Sequence, residues 1–168
     1  MIIIRMERPG DEEAIQAIHA AAFAGNEAAL VDLLRARAKN AVSMIAFKDE
    51  VMVGHVLFTD IVMTPTTDFL GVGLAPVAVL PAYQHQGIGS ALIRAGLQLC
   101  ARKGYDFAVV LGHFDYYPRF GFQKASAFGI GNTYNADEHF MALELHPNVL
   151  GHFAGVAHYQ PEFDEVGV

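Results

Sequence analysis

Six residues, Gln84-His85-Gln86-Gly87-Ile88-Gly89, stand between an apolar run ending at Pro81 and a long apolar-periodic segment that opens with Ser90. Glycine at a strand-to-helix junction lets the backbone come close to a ligand, because no side chain intervenes. The first N–H groups of a helix have no acceptor inside it, and the helix dipole favours negative charge there. The stretch therefore reads as an anion cradle, and phosphate is the usual guest. A mononucleotide P-loop needs a lysine followed by serine or threonine after its second glycine. Here Gly89 is followed by Ser90 and Ala91. A dinucleotide turn needs a third glycine where Leu92 stands, and its acidic partner belongs after the next strand, whereas Asp106 precedes that strand. Neither pattern is met.

Other residues with chemistry are few. "VVLGHFDYYPRFGF" holds His113, Tyr116 and Tyr117. Glu27 opens a helix, and Asp60 follows a hairpin. The one cysteine, Cys100, falls on the apolar stripe of a helix and excludes an intrachain disulfide or a cysteine metal cluster. His139, His146, His152 and His158 lack the i, i+4 or H-x-H spacing of metal ligands, so no metal is expected.

The elements that must position these residues follow from periodicity. "MIIIRME" reads as a strand. Pro9 and Gly10 break it, Asp11 is placed to cap a helix, and Ile15, Ile18, Ala22 and Phe23 recur at helical spacing. "NEAALVDLLRARAK" is a second helix, ended by Asn40. Two apolar runs flank Lys48-Asp49-Glu50, which is a hairpin signal. Further strands are expected over 69–73 and 75–79. A helix covers 90–103, a strand "YDFAVVLG", a short helical turn "HFDYYPRF", and a last strand "HFMALEL". This order is one mixed α/β domain over residues 1–168.

Bulk properties narrow the partners. The 168 residues are 53% hydrophobic and 17% charged, which describes a core-rich globular domain. A formal net charge of −7 argues against nucleic acid or an anionic membrane as partner. The N-terminal apolar run, Ile2 to Ile4, is too short for a signal peptide, and no stretch is long enough to span a bilayer. A cytoplasmic protein is expected.

The glycine turn resembles motif A of the GNAT N-acetyltransferase superfamily, Q/R-x-x-G-x-G/A, which Gln84, Gly87 and Gly89 satisfy. The apolar "V-L-P" before it and "SALI" after it agree. "VVLGHFDYYPRFGF" resembles motif B of the same superfamily, in the bacterial branch carrying YYxRFGF. The resemblance covers most of the chain. It implies the GNAT fold, a central, mostly antiparallel mixed sheet flanked by helices, with a splay between two central parallel strands. It implies acetyl-CoA as cosubstrate and an amine, small-molecule or protein, as acceptor, attacked directly in a ternary complex. On this resemblance the turn Gln84, His85, Gln86, Gly87, Ile88, Gly89 and Ser90 holds the pyrophosphate. Val77, Ala78 and Val79 face the pantetheine arm, the Val77 N–H stabilises the oxyanion, and Tyr116 and Phe120 adjoin the cofactor channel. Tyr117 is the general acid, with Tyr116 the alternative if the register shifts. Arg119 reaches a phosphate or caps its turn.

The strand before the turn has no carboxylate, unlike many members of this superfamily, which leaves Glu27, Asp60 and His113 as candidate bases, or no base at all. A CoA-binding sensor without transferase activity is the rival reading. The tail "GVAHYQPEFDEV" is expected to shape the acceptor side, and the exposed strand edges of such folds suggest a homodimer.

Overall fold

The computed structural model describes residues 1–37 and 39–167. Strand β1 (Ile2–Met6) leads to helices α1 (Glu12–Ala22) and α2 (Glu27–Ala36). Strands β2 (Asn40–Lys48), β3 (Val51–Thr64) and β4 (Gly71–Val79) follow, then α3 (Ile88–Arg102) and β5 (Phe107–Leu111). The C-terminal third holds the short β6 (Gln123–Lys124) and β7 (Ile130–Gly131), then β8 (Phe140–Glu144), β9 (Gly155–His158) and α4 (Glu162–Glu165). The nine strands form one sheet in the order β1-β2-β3-β4-β5-β8-β6, while β9 pairs with both β3 and β7. All pairings are antiparallel except β4 with β5 and β7 with β9. This is the mixed, mostly antiparallel α/β sheet the sequence leads one to expect.

Side-chain alternation divides the layers. On β2, β3 and β5 the residues Met44, Val56, Phe58, Ala108 and Val110 face α3. Ile45 and Leu57 face α1 and α2, in a cluster with Ile15, Leu30 and Leu34. Phe107 and Val109 lie on that same face with the C-terminal strands. The hairpin signal is met: β2 and β3 are joined by Asp49 and Glu50, both at positive φ, the conformation that matches strand twist in a two-residue turn.

Five readings need correction. The strands expected at 69–73 and 75–79 are one strand. Between Leu74 and Val77 the ladder with β3 slips, because Leu57 alone lies opposite Ala75 and Pro76. Proline has no N–H to donate, and a bulge is where a sheet tolerates that. Helix α3 starts at Ile88, two residues early, because Gly87 at φ +83 is its cap. Asn40 opens β2 and does not end α2. Asp11 does not cap α1 with its side chain; its carboxylate accepts hydrogen bonds from the Arg8 N–H and the Arg5 guanidinium, tying β1 to the helix start. "HFMALEL" is not the last element, since β9 and α4 follow it.

A buried polar chain joins α1 to the sheet. His19 Nε2 and His55 Nδ1 are 2.7 Å apart, and His55 Nε2 is 2.8 Å from Ser43 Oγ. The Ser43 hydroxyl donates to Glu7 Oε1 at 2.6 Å, and Arg35 donates to the same carboxylate. One hydroxyl proton given to Glu7 leaves Ser43 an acceptor, so His55 donates through Nε2 and accepts at Nδ1 from His19 Nε2–H. Both rings are thereby neutral. Burial first, then Arg35, pushes His19 down to about 4, and burial with His19 and Arg35 pushes His55 down as well. The unfolded chain binds these protons near pH 6.5 and the folded chain does not. Stability is therefore lost as pH falls from about 6.5 towards 4. Urea unfolding at pH 7 and pH 5 is expected to show a loss of roughly 2 kcal/mol from His19 alone, and His19→Phe is expected to flatten that slope.

Candidate active site

Helix α3 begins without a side-chain cap. Its first intrahelical bond is Ala91 N–H to the Gly87 carbonyl, so the N–H groups of Ile88, Gly89 and Ser90 have no acceptor within the helix. A Cβ added at Gly87 would meet nothing within 4 Å, and one at Gly89 would come no nearer than 3.8 Å to Val79 and 3.9 Å to the Tyr116 hydroxyl. The protein's own packing does not demand glycine at 89. The space belongs to a cleft of about 520 Å³ that the turn lines, together with Val79, Tyr83, Tyr116 and Arg119.

The predicted turn residues divide by what they present. Gln84, His85, Gly87, Ile88, Gly89 and Ser90 line the cleft. Gln86 does not; its side chain turns outward to Lys48. His85 holds a positive φ of 63, which completes the turn. The Gln84 side-chain amide donates to the Val79 carbonyl at 3.0 Å. Tyr116 reaches the helix start, its hydroxyl 2.8 Å from Ser90 Oγ. Arg119 stacks 4.2 Å over the Tyr116 ring and donates through Nε to the Tyr116 carbonyl at 2.8 Å. It caps its turn and also brings positive charge to the cleft. Phe120 lies behind this wall, under Arg94 at 4.7 Å.

The second feature is the split between β4 and β5. Their parallel pairing runs from Gly71 with Phe107 to Leu74 with Val110 and stops. β4 continues to Val79. The Leu80 N–H bonds the Val53 carbonyl of β3. Alternation along the strand turns the N–H groups of Val79 and Val77 the other way, towards the side β5 has left. The Ala78 side chain is buried in the sheet and is not part of this edge's lining.

Tyr117 stands near the split on the α3 face. It is 9% exposed, packs with Phe122 and Tyr116, and makes no side-chain hydrogen bond among the described residues. Burial, with Tyr116 adding, pushes its phenol up to about 12, so it stays a proton donor. On the opposite face Tyr159 lies flat over Gly73, where a Cβ would come within 2.6 Å of the ring. Its hydroxyl is 3.3 Å from both the Leu74 and Val109 carbonyls, bridging the two strands at the last rungs of their ladder. Beside it a cavity of about 180 Å³ is lined by Ala75, Leu111, Tyr134, Tyr159 and Phe163.

None of the candidate bases lines this cavity. Asp60 pairs with Val72 and accepts a bond from Tyr105, about 23 Å along β4 from Val79. His113 is exposed in the loop after β5. Glu27 folds back over Gly25, with one carboxylate oxygen buried and unpartnered among the described residues. Burial pushes the Cys100 thiol up to about 12, which suits an inert core residue. Among the described residues no group of three or more His, Cys, Asp or Glu is gathered as for a metal, and no helix is long and apolar enough to cross a membrane.

Tyr134, Tyr159 and Phe163 were not singled out in sequence. Tyr159 and Phe163 lie in the tail "GVAHYQPEFDEV" already expected to shape the acceptor side, whereas Tyr134 carried no signal. Phe163 is brought in by α4, whose neighbour Glu162 is buried against Arg37 at 3.0 Å and Lys39 at 3.7 Å.

Comparison with known proteins agrees with this geometry. The acetyltransferase (GNAT) domain family matches residues 4–125. The chain belongs to the GNAT acetyltransferase family. The uncharacterized N-acetyltransferase YhbS of Escherichia coli strain K12 is 31% identical over 97% of this chain and 99% of its own. The crystal structure of YhbS from Escherichia coli in complex with CoA superimposes with a TM-score of 0.92 at 30% identity, covering 97% of this chain and 92% of that one. A GNAT family acetyltransferase from Brucella melitensis in complex with acetyl-CoA gives 0.81 at 32% identity, covering 98% and 99%. The uncharacterized N-acetyltransferase YjhQ of Escherichia coli strain K12 is 41% identical, but over 53% of this chain and half of its own length. This GNAT domain is an N-acetyltransferase by family, with the family's sheet.

The Tyr159 bridge carries a prediction. Tyr159→Phe removes the one hydroxyl donor that the Leu74 and Val109 carbonyls share, and is expected to cost about 1–2 kcal/mol in urea unfolding.

Proposed function

We propose that this GNAT domain transfers the acetyl group of acetyl-CoA to a primary amine, by direct attack at the β4/β5 split. The observation that carries the reading is the uncapped start of α3. Three N–H groups there have no helix acceptor, Gly87 faces open space, and a Cβ at Gly89 would meet only ordinary contacts. That cradle fits a pyrophosphate, with Arg119 as a further cation. Val79 beside the turn and Ala75 at the split are four residues apart, about 13 Å, and the free edge between them suits the amides of a pantetheine arm.

The residue roles follow from the two faces of the sheet. The amine comes from the face of the aromatic cavity, and Tyr117 lies on the face of α3. That separation keeps the entering amine and the acid that serves the leaving thiolate from competing for one position. The Val77 N–H donates to the developing oxyanion. Tyr117, held protonated by burial, gives its proton to the departing thiolate. The nitrogen lone pair forms the C–N bond, and the C–S pair leaves with sulfur. The proton lost by nitrogen passes to water, since no carboxylate lines the cavity, and it balances the proton that sulfur takes up.

Two substitutions test this. Gly87→Trp, which fills the cradle, is expected to weaken acetyl-CoA binding in isothermal titration by at least about tenfold, with the circular dichroism spectrum retained. Tyr117→Phe is expected to lower kcat by about 10²-fold in a free-thiol assay while leaving acetyl-CoA affinity in place. Binding without thiol release by the wild type, across a panel of amines, would replace the transferase with a CoA-binding sensor.

A further inference from the structure

The cavity at the split differs in chemistry from the cleft at the turn. Its five lining residues, Ala75, Leu111, Tyr134, Tyr159 and Phe163, carry no charge. The Tyr159 hydroxyl is already engaged by the Leu74 and Val109 carbonyls. Tyr134 and Phe163 each present a ring to Tyr159 in a T-shaped arrangement, at 6.4 and 5.0 Å. The space is about 180 Å³. A dry apolar cavity of roughly 150 Å³ takes up benzene, and aromatic walls favour an edge-to-face ring.

The position of the cavity is as telling as its lining. Ala75 and Leu111 are the first residues beyond the last paired rung of β4 and β5. A group seated between the rings therefore places whatever is attached to it, through a short tether, at the split. Asp164, exposed on α4, is the chain neighbour of the lining residue Phe163, and it adds to burial in raising the Tyr134 phenol. An exposed carboxylate so placed favours an approaching ammonium over an approaching carboxylate. A carboxylate or phosphate on the acceptor would meet no cation in the lining, and a second ammonium would meet no carboxylate there.

The geometry points to an acceptor that is a primary monoamine bearing an aromatic ring of about benzene size on a short tether, without carboxylate or phosphate. This rests on the acetyl-transfer reading given above and names its substrate class. The ring occupies the cavity formed by Tyr134, Tyr159 and Phe163, and the nitrogen projects between Ala75 and Leu111. Tyr134 and Leu111 are then specificity residues. The product is the N-acetyl arylalkylamine, and free CoA thiol is released in equal amount.

The test uses the full chain with phenethylamine as probe, against ethylamine, phenylalanine and putrescine. The kcat/KM for phenethylamine is expected to exceed that for phenylalanine and for putrescine by at least about tenfold. Tyr134→Ala is expected to raise the KM for phenethylamine about fivefold or more, through lost ring contact, with the acetyl-CoA dissociation constant unchanged. Leu111→Trp, which reduces the cavity, is expected to lower the phenethylamine-to-ethylamine ratio of kcat/KM by about tenfold. Acetyl-CoA binding with equal or better turnover of phenylalanine or putrescine overturns the acceptor class and leaves the transferase intact. So does a ratio unmoved by Leu111→Trp. Acetyl-CoA binding with no turnover of any amine overturns it too. Failure to bind acetyl-CoA at all overturns the reading of the turn itself.

Discussion

The ladder between β4 and β5 stops at Leu74 and Val110, and the site depends on that interruption. A strand in the middle of a sheet normally spends its N–H and C=O groups on both neighbours. Beyond Leu74, β4 keeps β3 on one side and has no strand on the other. The bulge at Ala75 and Pro76 lies at the same point. Pro76 has no N–H to leave unpaired, so the strand passes the split at low cost in hydrogen bonding. The Gln84 side chain takes up the Val79 carbonyl at the far end of the edge. What remains is a short row of N–H groups with no strand opposite them.

The two faces of the sheet then acquire different chemistry. The α3 face ends in an uncapped helix start with Arg119 nearby, a local positive region on a chain whose formal net charge is −7. The opposite face ends in three aromatic rings, with the exposed Asp164 beside Phe163 on α4. Tyr117 and Tyr159 stand on either side of the split. Tyr117 is close enough for its phenol to add to the rise that burial imposes on Tyr159. One phenol is free to donate, and the other is spent on holding the strands.

Buried polar groups fasten the helices that pack on this face of the sheet. Burial acts to raise the Glu162 carboxyl, but its backbone hydrogen bond, Arg37 and Lys39 outweigh this and hold it below the usual carboxylate range. That anchor fixes α4 and so Phe163. The His19–His55–Ser43–Glu7 chain fixes α1 on β3 and β2. Both anchors weaken in acid, for different reasons: the histidines gain a charge that burial disfavours, and the carboxylate loses the charge that its partners hold.

Much was legible in the sequence wherever the signal was local. Gly87 and Gly89 after Gln84 define a turn because backbone conformation is set within a few residues, and the structure places that turn at the start of α3. Asp49 and Glu50 form the hairpin for the same reason, and Tyr117 falls on the short turn where its spacing from Gly121 puts it. What depended on distant partners was not legible. Residues 69–73 and 75–79 read as two strands because the bulge that carries the chain past Ala75 and Pro76 is made with β3. Asp11 looked like a cap because its better partner, Arg5, lies in the preceding strand. Asp60 looked like a base until its pairing with Val72 placed it at the wrong end of β4. Tyr159 reaches the Leu74 carbonyl across 85 positions of chain. Local rules report backbone preference and periodicity, whereas a site is a convergence of side chains that only the packed sheet brings together.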